Sequence, residues 1–176
     1  MVCLNLHKID FKDKNNPFLI GIGISNKHLH LSQADLETLF GEGYQLREKS
    51  ALSQPGQFAA KETVTIAGPK GAVDNVRILG PVRKETQVEL AQTDARRLGI
   101  EAPVRLSGDL ADSADCVLIG PKGIVNARSK VIIPIPHIHL SDQQAQEMGI
   151  KDQDLVDVYF KSKTKSGALF NIVCRV

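Results

Sequence analysis

Four of the five histidines in this 176-residue chain occur in two His-x-His pairs, His28-Leu-His30 and His137-Ile-His139. Residues i and i+2 of an extended strand point to the same face, so each pair can present two imidazole rings together. Neutral imidazole is a common zinc ligand. One such pair would be weak evidence, because isolated surface histidines are frequent, but two pairs favour metal binding. The fifth histidine, His7, lies in a segment without a metal-binding pattern.

The two pairs occupy matching positions in an internal repeat, and the repeat adds a carboxylate. Its three copies span residues 28–36, 87–95 and 137–145. The middle copy has Glu89 where the outer copies have His30 and His139. A lone glutamate would be interpreted as a solvated strand residue. In register with the histidines, it completes the two-histidine, one-carboxylate set of a catalytic zinc site, His28, His30 and Glu89. His137 and His139 would supply part of a second site.

Arg83 is the basic residue best placed by the sequence to bind an anion. It lies in a proline-containing turn a few residues before Glu89, and its planar guanidinium fork suits phosphate. Lys70, Arg77 and Lys84, in the same stretch, are interpreted more simply as solvated surface residues. The chain has no Gly-rich phosphate loop and no dinucleotide fingerprint. No spacing in it supports a Ser-His-Asp or Cys-His grouping.

Short strands, tight turns and short helices make up the pattern around these residues. Ser32 and Ser141 have the spacing of helix N-caps, and Gly99 and Gly149 stand where helices are expected to end. Two Gly-Pro-Lys-Gly turns follow apolar strand segments. We therefore predict a mainly β fold of two small β-barrel domains, capped by short α-helices and built from internal repeats. The predicted limits are an irregular leader at 1–18, a first barrel at 19–105 and a second barrel at 106–176.

Composition excludes several classes of protein. A net charge of +2 is too small to indicate nucleic acid or an anionic membrane as a partner. No apolar run approaches the roughly 20 residues that span a bilayer. Cys3, Cys116 and Cys174 are too widely spaced to form a disulfide framework or a Cys-x-x-Cys site. With no signal-peptide pattern at the N-terminus, these features favour a cytoplasmic location.

These residues together resemble the phosphate propanoyltransferases of the propanediol-utilisation type, a family of phosphotransacylases. The similarity runs from Ile22 to the end of the sequence, and its motifs are specific. The matching stretches are residues 25–32, 52–59, 76–81, 83–94, 107–109 and 137–139. The resemblance implies two β-barrel domains with two zinc ions between them. It also implies an exchange of acyl-CoA and phosphate for acyl phosphate and CoA.

Residue roles follow from this resemblance position by position. The residues that resemble ligands of one zinc are His28, His30 and Glu89, and those of the other zinc are His137 and His139. Arg83 resembles the catalytic, phosphate-binding arginine. The residues that resemble coenzyme A contacts are Ile24, Ser25, Asn26, Lys70 and Arg77. The implied partners are acyl-CoA with an acetyl or propanoyl group, phosphate, a neighbouring acetate or propionate kinase, and a second copy in a homodimer. A bacterial microcompartment is a further location in the family, but residues 1–18 lack the apolar spacing of a docking helix.

Two features depart from the family pattern. The family continues beyond the position of Val176 with a further histidine-containing repeat, which supplies a third ligand of the second zinc. Pro134-Ile135-Pro136 precedes His137 where the family has a basic residue. An alternative is therefore a truncated, weakly active or inactive relative that binds CoA or metal without turnover. A zinc-dependent hydrolase on a large α/β barrel is a third interpretation, but that fold needs about 250 residues.

Overall fold

The computed structural model describes residues 19–20, 27–52, 54, 56–161 and 163–176. The predicted leader at 1–18 and the predicted coenzyme A contacts Ile24, Ser25 and Asn26 lie outside the described residues. In chain order the elements are β1 His28–His30, α1 Gln33–Phe40, β2 Glu48–Ala51, β3 Phe58–Gly68, β4 Gly71–Gly80, β5 Gln87–Glu89, α2 Gln92–Leu98, β6 Val104–Arg105, β7 Ala114–Ile119, β8 Ile124–Pro134, β9 His137–His139, α3 Asp142–Met148, β10 Leu155–Lys161 and β11 Ser166–Arg175.

Six strands close into a β-barrel in the order β3, β4, β1, β5, β8 and β7, with β7 pairing back to β3. The pairs β1–β4 and β5–β8 are parallel, and the other four pairs are antiparallel. Alternate side chains point inward, so Leu29, Ile66, Ile78 and Leu118 are fully buried in one core. The predicted mainly β fold with short helices is confirmed.

The Gly-Pro-Lys-Gly turns pack against the ends of two helices. The Lys70 backbone N–H donates to the carbonyl of Leu98 at 2.9 Å, at the end of α2. The Lys122 N–H donates to the carbonyl of Leu39 at 3.0 Å, near the end of α1. A Cβ on Gly120 would lie 2.5 Å from the Leu39 oxygen, so only glycine permits this approach. Each turn therefore satisfies a helix carbonyl that has no partner within its own helix.

The helix termini follow the sequence signals closely. The Ser32 side chain accepts a hydrogen bond from the backbone of Asp35, and Ser141 forms a reciprocal capping box with Gln144. Gly99 and Gly149 adopt left-handed conformations, with φ of 71° and 67°. These four predicted helix limits are confirmed.

The chain divides into two compact units, and the division differs from the predicted domain limits. The larger unit spans Ser25–Ile135, and the smaller one contains Pro136–Val176. The limit predicted near residue 105 falls inside the larger unit, because β7 and β8 complete the same barrel as strands that precede it. The turn at 120–123 likewise packs on α1 rather than on a helix of its own half.

The smaller unit contains a three-stranded sheet in the order β10, β11 and β9. Strand β9 runs parallel to β11, and β10 runs antiparallel to it. Leu140, Ala145, Ile150 and Cys174 form its buried cluster. In the described part of the chain, no helix is long and apolar enough to cross a membrane.

Candidate metal centre

Two adjacent barrel strands carry the predicted ligands of the first zinc site. Strands β1 and β5 pair antiparallel, with His28 opposite Glu89 and His30 opposite Gln87. Because side chains alternate along each strand, the residues at both ends of β1 and β5 share one face. The two strands that the repeat relates in sequence are thus neighbours in the barrel.

The pairing brings His28, His30 and Glu89 into one cluster. One ligand atom from each residue lies within 4.8 Å of the others. His28 Nε2 is 3.3 Å from Glu89 Oε2, and the two imidazole rings meet edge to face with centroids 5.6 Å apart. His30 and Glu89 are buried, and His28 is half-buried. This is the one group of three or more His, Cys, Asp or Glu ligands among the described residues.

His30 has the burial and the protonation state expected of a metal ligand. Its Nδ1 is buried and has no hydrogen-bond partner in the described part of the protein. Burial, followed by the charges of Arg83 and His28, lowers the pKa of His30 to about 3, although the Glu89 charge and a hydrogen bond to the Leu79 backbone oppose this shift. The ring is therefore neutral at physiological pH, which is the form that coordinates zinc. An unpartnered buried nitrogen beside a carboxylate fits a metal better than it fits a structural histidine.

Glu89 is ionised and held by hydrogen bonds. Burial alone would raise its pKa, but hydrogen bonding to His28, the His28 charge and a hydrogen bond from Ser107 outweigh burial and lower the pKa to about 2. Its Oε1 accepts from Gln87 Nε2 at 2.6 Å and from Ser107 Oγ at 3.1 Å. Its Oε2 faces His28. The carboxylate therefore offers a charged, oriented oxygen to the histidine cluster.

Arg83 lies beside this cluster because its loop is fixed to the end of β1. The Arg83 N–H donates to the Leu31 carbonyl at 2.8 Å, and Arg83 forms an isolated parallel bridge with Ser32. Thr86, at the end of the same loop, accepts from the Ser32 N–H at 3.0 Å and donates to the Asp35 carboxylate. Arg83 is half-buried and close enough for its charge to lower the pKa of His30. The structure thus brings Arg83 to the side of the predicted metal ligands.

Two predicted coenzyme A contacts belong to the described barrel. Lys70 is exposed and lines an open cavity of about 600 Å³ together with Arg96 and Asp112. Arg77 is half-buried, and its Nη1 donates to the backbone carbonyls of Ala60 and Lys61, each at 2.9 Å. Part of the Arg77 guanidinium is therefore engaged with the backbone of β3.

The second His-x-His pair lies in the smaller unit. His137 and His139 occupy β9, where they pair with Val173 and Arg175 of β11. Their Nε2 atoms are 3.2 Å apart, and their rings meet edge to face with centroids 4.8 Å apart. His139 is exposed and His137 is half-buried. The two nitrogens can share one ion or one proton.

Comparison with known proteins identifies the family. A sequence model of the phosphate propanoyltransferases matches residues 21–176. The chain belongs to the phosphate propanoyltransferase family.

Individual relatives agree with this assignment. A phosphate propanoyltransferase of Thermotoga maritima is 55% identical over 155 residues, which cover 88% of this chain and 74% of the relative. One from Rhodopseudomonas palustris is 45% identical over 161 residues, covering 92% and 71%. One from Salmonella typhimurium is 44% identical over 157 residues, covering 89% and 74%. The predicted enzyme class, a phosphate acyltransferase, is confirmed by this membership.

Sequence reasoning missed the residues that support the predicted metal ligands. Gln87 and Ser107 hold Glu89, and Thr86 with Asp35 fixes the loop that carries Arg83. A signal for Gln87 was present, since it occupies the repeat position of His28 and His137. Ser107 belongs to a Ser-Gly-Asp stretch that matches the family, but nothing in that stretch indicates its partner.

Proposed function

We propose that this protein exchanges acyl-CoA, with an acetyl or propanoyl group, and inorganic phosphate for acyl phosphate and CoA by a zinc-assisted direct transfer. The observation that carries the proposal is the His28, His30 and Glu89 cluster, whose ligand atoms lie within 4.8 Å of one another. Family membership supplies the reaction class. Two imidazoles and one carboxylate form a donor set typical of catalytic zinc, with a position left open for substrate.

The chain's own residues would hold the ion in place. His30 offers Nδ1, Glu89 offers Oε2, and His28 offers Nε2. When bound, zinc supplies Lewis acidity to a thioester carbonyl or a phosphate oxygen. His137 and His139, with their Nε2 atoms 3.2 Å apart, are proposed as two ligands of a second zinc.

Arg83 is proposed to bind the attacking phosphate. Its guanidinium offers parallel donors to two phosphate oxygens and offsets their charge. A phosphate oxygen attacks the thioester carbonyl carbon, the carbon–sulfur bond breaks, and CoA leaves as a thiolate that takes up a proton. Holding phosphate in place converts the attack into an effectively unimolecular step. The Thr86–Asp35 contact keeps the Arg83 loop in position for this role.

The described cysteines argue against a covalent acyl-enzyme. Cys116 and Cys174 are buried. Burial, with a contribution from Asp115, raises the pKa of Cys116 to about 12, and burial with nearby Asp154 also raises the pKa of Cys174. A thiol acts as a nucleophile in its thiolate form, so both are poor acyl acceptors. We therefore propose a ternary complex in which CoA is bound by Ile24, Ser25, Asn26, Lys70 and Arg77.

Thiol release tests the proposal. The purified protein, with its metal content measured, is incubated with acetyl-CoA or propanoyl-CoA with and without phosphate, and free CoA thiol is followed. We expect release that depends on phosphate and disappears after zinc is chelated. Release without phosphate would indicate a hydrolase, and no release at all would indicate a protein that binds CoA or metal without turnover. Either result would contradict the proposed transfer.

A further inference from the structure

Gln87 is a buried polar residue whose role the proposed transfer does not explain. It is 2% exposed and stands opposite His30 in the β1–β5 register. In the internal repeat it occupies the position that the outer copies fill with His28 and His137. The middle copy therefore replaces both histidines of the pair, one by a carboxylate and the other by an amide.

We propose that Gln87, together with Ser107, positions Glu89 as a one-oxygen metal ligand. This inference rests on the metal centre of the proposed function. Gln87 is thus a positioning residue that acts through Glu89. The two residues stand at the two histidine positions of the middle repeat.

Every hydrogen-bonding group of the Gln87 amide has a partner. Its Nε2 donates to Glu89 Oε1 at 2.6 Å and to Ser107 Oγ at 2.8 Å. Its Oε1 accepts from the Gly108 N–H at 2.8 Å. Because a carboxylate only accepts and a backbone N–H only donates, these contacts fix which end of the amide faces Glu89.

The same contacts distinguish the two oxygens of Glu89. Oε1 accepts from both Gln87 and Ser107, whereas Oε2 faces His28 at 3.3 Å. One oxygen is thereby occupied by the protein, and the other is directed to the ligand cluster. Residues that orient metal ligands in this way typically contribute about 10–100-fold to metal affinity.

The experiment measures zinc affinity in the full chain at a temperature where circular dichroism shows it to be folded. Zinc is titrated against a chromophoric chelator in the wild type, Gln87→Met and Ser107→Ala. Methionine has nearly the shape of glutamine but cannot donate to Glu89. Gln143→Met is the matched control, because Gln143 also donates to a carboxylate, Glu147, at 2.9 Å, but on the exposed surface of α3.

We expect zinc binding at the tighter site, formed by His28, His30 and Glu89, to weaken by about 10–100-fold in Gln87→Met. The loss should be smaller in Ser107→Ala, which keeps the hydrogen bond between the amide and the carboxylate. Gln143→Met should bind as the wild type does. A purely structural role would lower the melting temperature of the zinc-free protein but leave the zinc affinity of the folded chain unchanged.

Three outcomes would overturn the inference. A folded Gln87→Met protein that binds zinc within twofold of the wild type would remove Gln87 from this role. If Gln87→Met does not fold, wild-type affinity in Ser107→Ala has the same consequence. A wild-type chain that binds no zinc would instead remove the metal centre itself, which distinguishes failure of the proposed function from failure of this inference.

Discussion

The two His-x-His pairs of this protein share a repeat but differ in their surroundings. In the larger unit, His28 and His30 lie beside the buried Glu89 carboxylate, whose Oε1 is held by Gln87 and Ser107. In the smaller unit, His137 and His139 lie on β9, and His139 is exposed. In both pairs, the two-residue spacing on a strand directs both imidazole rings to one face. Burial and an outer layer of hydrogen bonds prepare the first pair more fully to bind a cation.

The largest expected effect separates the two pairs directly. Replacing His30 with Gln should lower affinity at the tighter zinc site by more than about 100-fold, since losing a ligand costs more than losing a supporting contact. Phosphate-dependent thiol release should fall to background. The matched variant His139→Gln should leave the tighter zinc equivalent in place. Metal analysis after dialysis measures the zinc content of both variants. If only His139→Gln lost the tighter zinc equivalent, the second pair would be the stronger site.

The arginine beside the first pair gives the next effect. Arg83→Ala should lower phosphate-dependent turnover by about 100–1,000-fold and raise the apparent KM for phosphate, because a donor aimed at developing charge is lost. Arg83→Lys should recover only part of the rate, since it keeps the charge but not the fork. The neighbouring exposed Lys84→Ala serves as control. Wild-type kinetics in Arg83→Ala would contradict the assigned role.

In the zinc-free protein, acidification should lower the free energy of unfolding because the His30 imidazole is buried. The pKa of His30 is about 3 in the folded chain, below its ordinary value of 6.5, so the unfolded chain binds the extra proton first. Its contribution to stability is therefore complete above pH 6.5 and is lost as the pH falls towards 3. From pH 7 to pH 5, this predicts a loss of about 2 kcal/mol in the free energy of unfolding.

Urea unfolding with a chelator present measures this loss. His30→Gln carries no titrating ring and should reduce the difference between pH 7 and pH 5 by that amount. An equal pH dependence in His30→Gln and the wild type would show that the buried ring does not control it.

The smallest expected effect concerns the loop that carries Arg83. Thr86 is buried and bonds both the Ser32 N–H and the Asp35 carboxylate. Thr86→Val keeps the shape but leaves these groups unpaired, which should cost about 1–3 kcal/mol of stability. It should also raise the apparent KM for phosphate severalfold with less change in kcat. Thr86→Ser retains the hydroxyl and should restore both quantities; failure of that rescue would place the effect in packing instead.

Some of this arrangement can be predicted from the sequence, and particular residues show where prediction stops. The repeat places Glu89 at the His30 position, and strand spacing directs the two imidazoles of each pair to one face, so the proposed ligand set follows from the sequence pattern. The helix limits at Ser32, Ser141, Gly99 and Gly149 are local as well. The pair spacing and the helix limits depend on residues only a few positions apart, and the repeat is visible by comparing residues 28–36, 87–95 and 137–145.

Long-range pairing is what the local pattern leaves open. Nothing in the sequence shows that β7 pairs with β3, or that the turn at 120–123 packs on α1, and these contacts place residue 105 inside one unit. The partner of Ser107 depends on the same tertiary packing. The repeat marks the position of Gln87, but its hydrogen bond to Glu89 depends on the direction of its amide, which the contact with Gly108 sets.

Diffraction from crystals of the zinc-loaded protein, recorded on both sides of the zinc absorption edge, would locate the ion. We expect an anomalous peak within bonding distance of His28, His30 and one oxygen of Glu89, with zinc–nitrogen distances of about 2.0–2.1 Å. A zinc-loaded crystal with no peak among these three residues would contradict this ligand set.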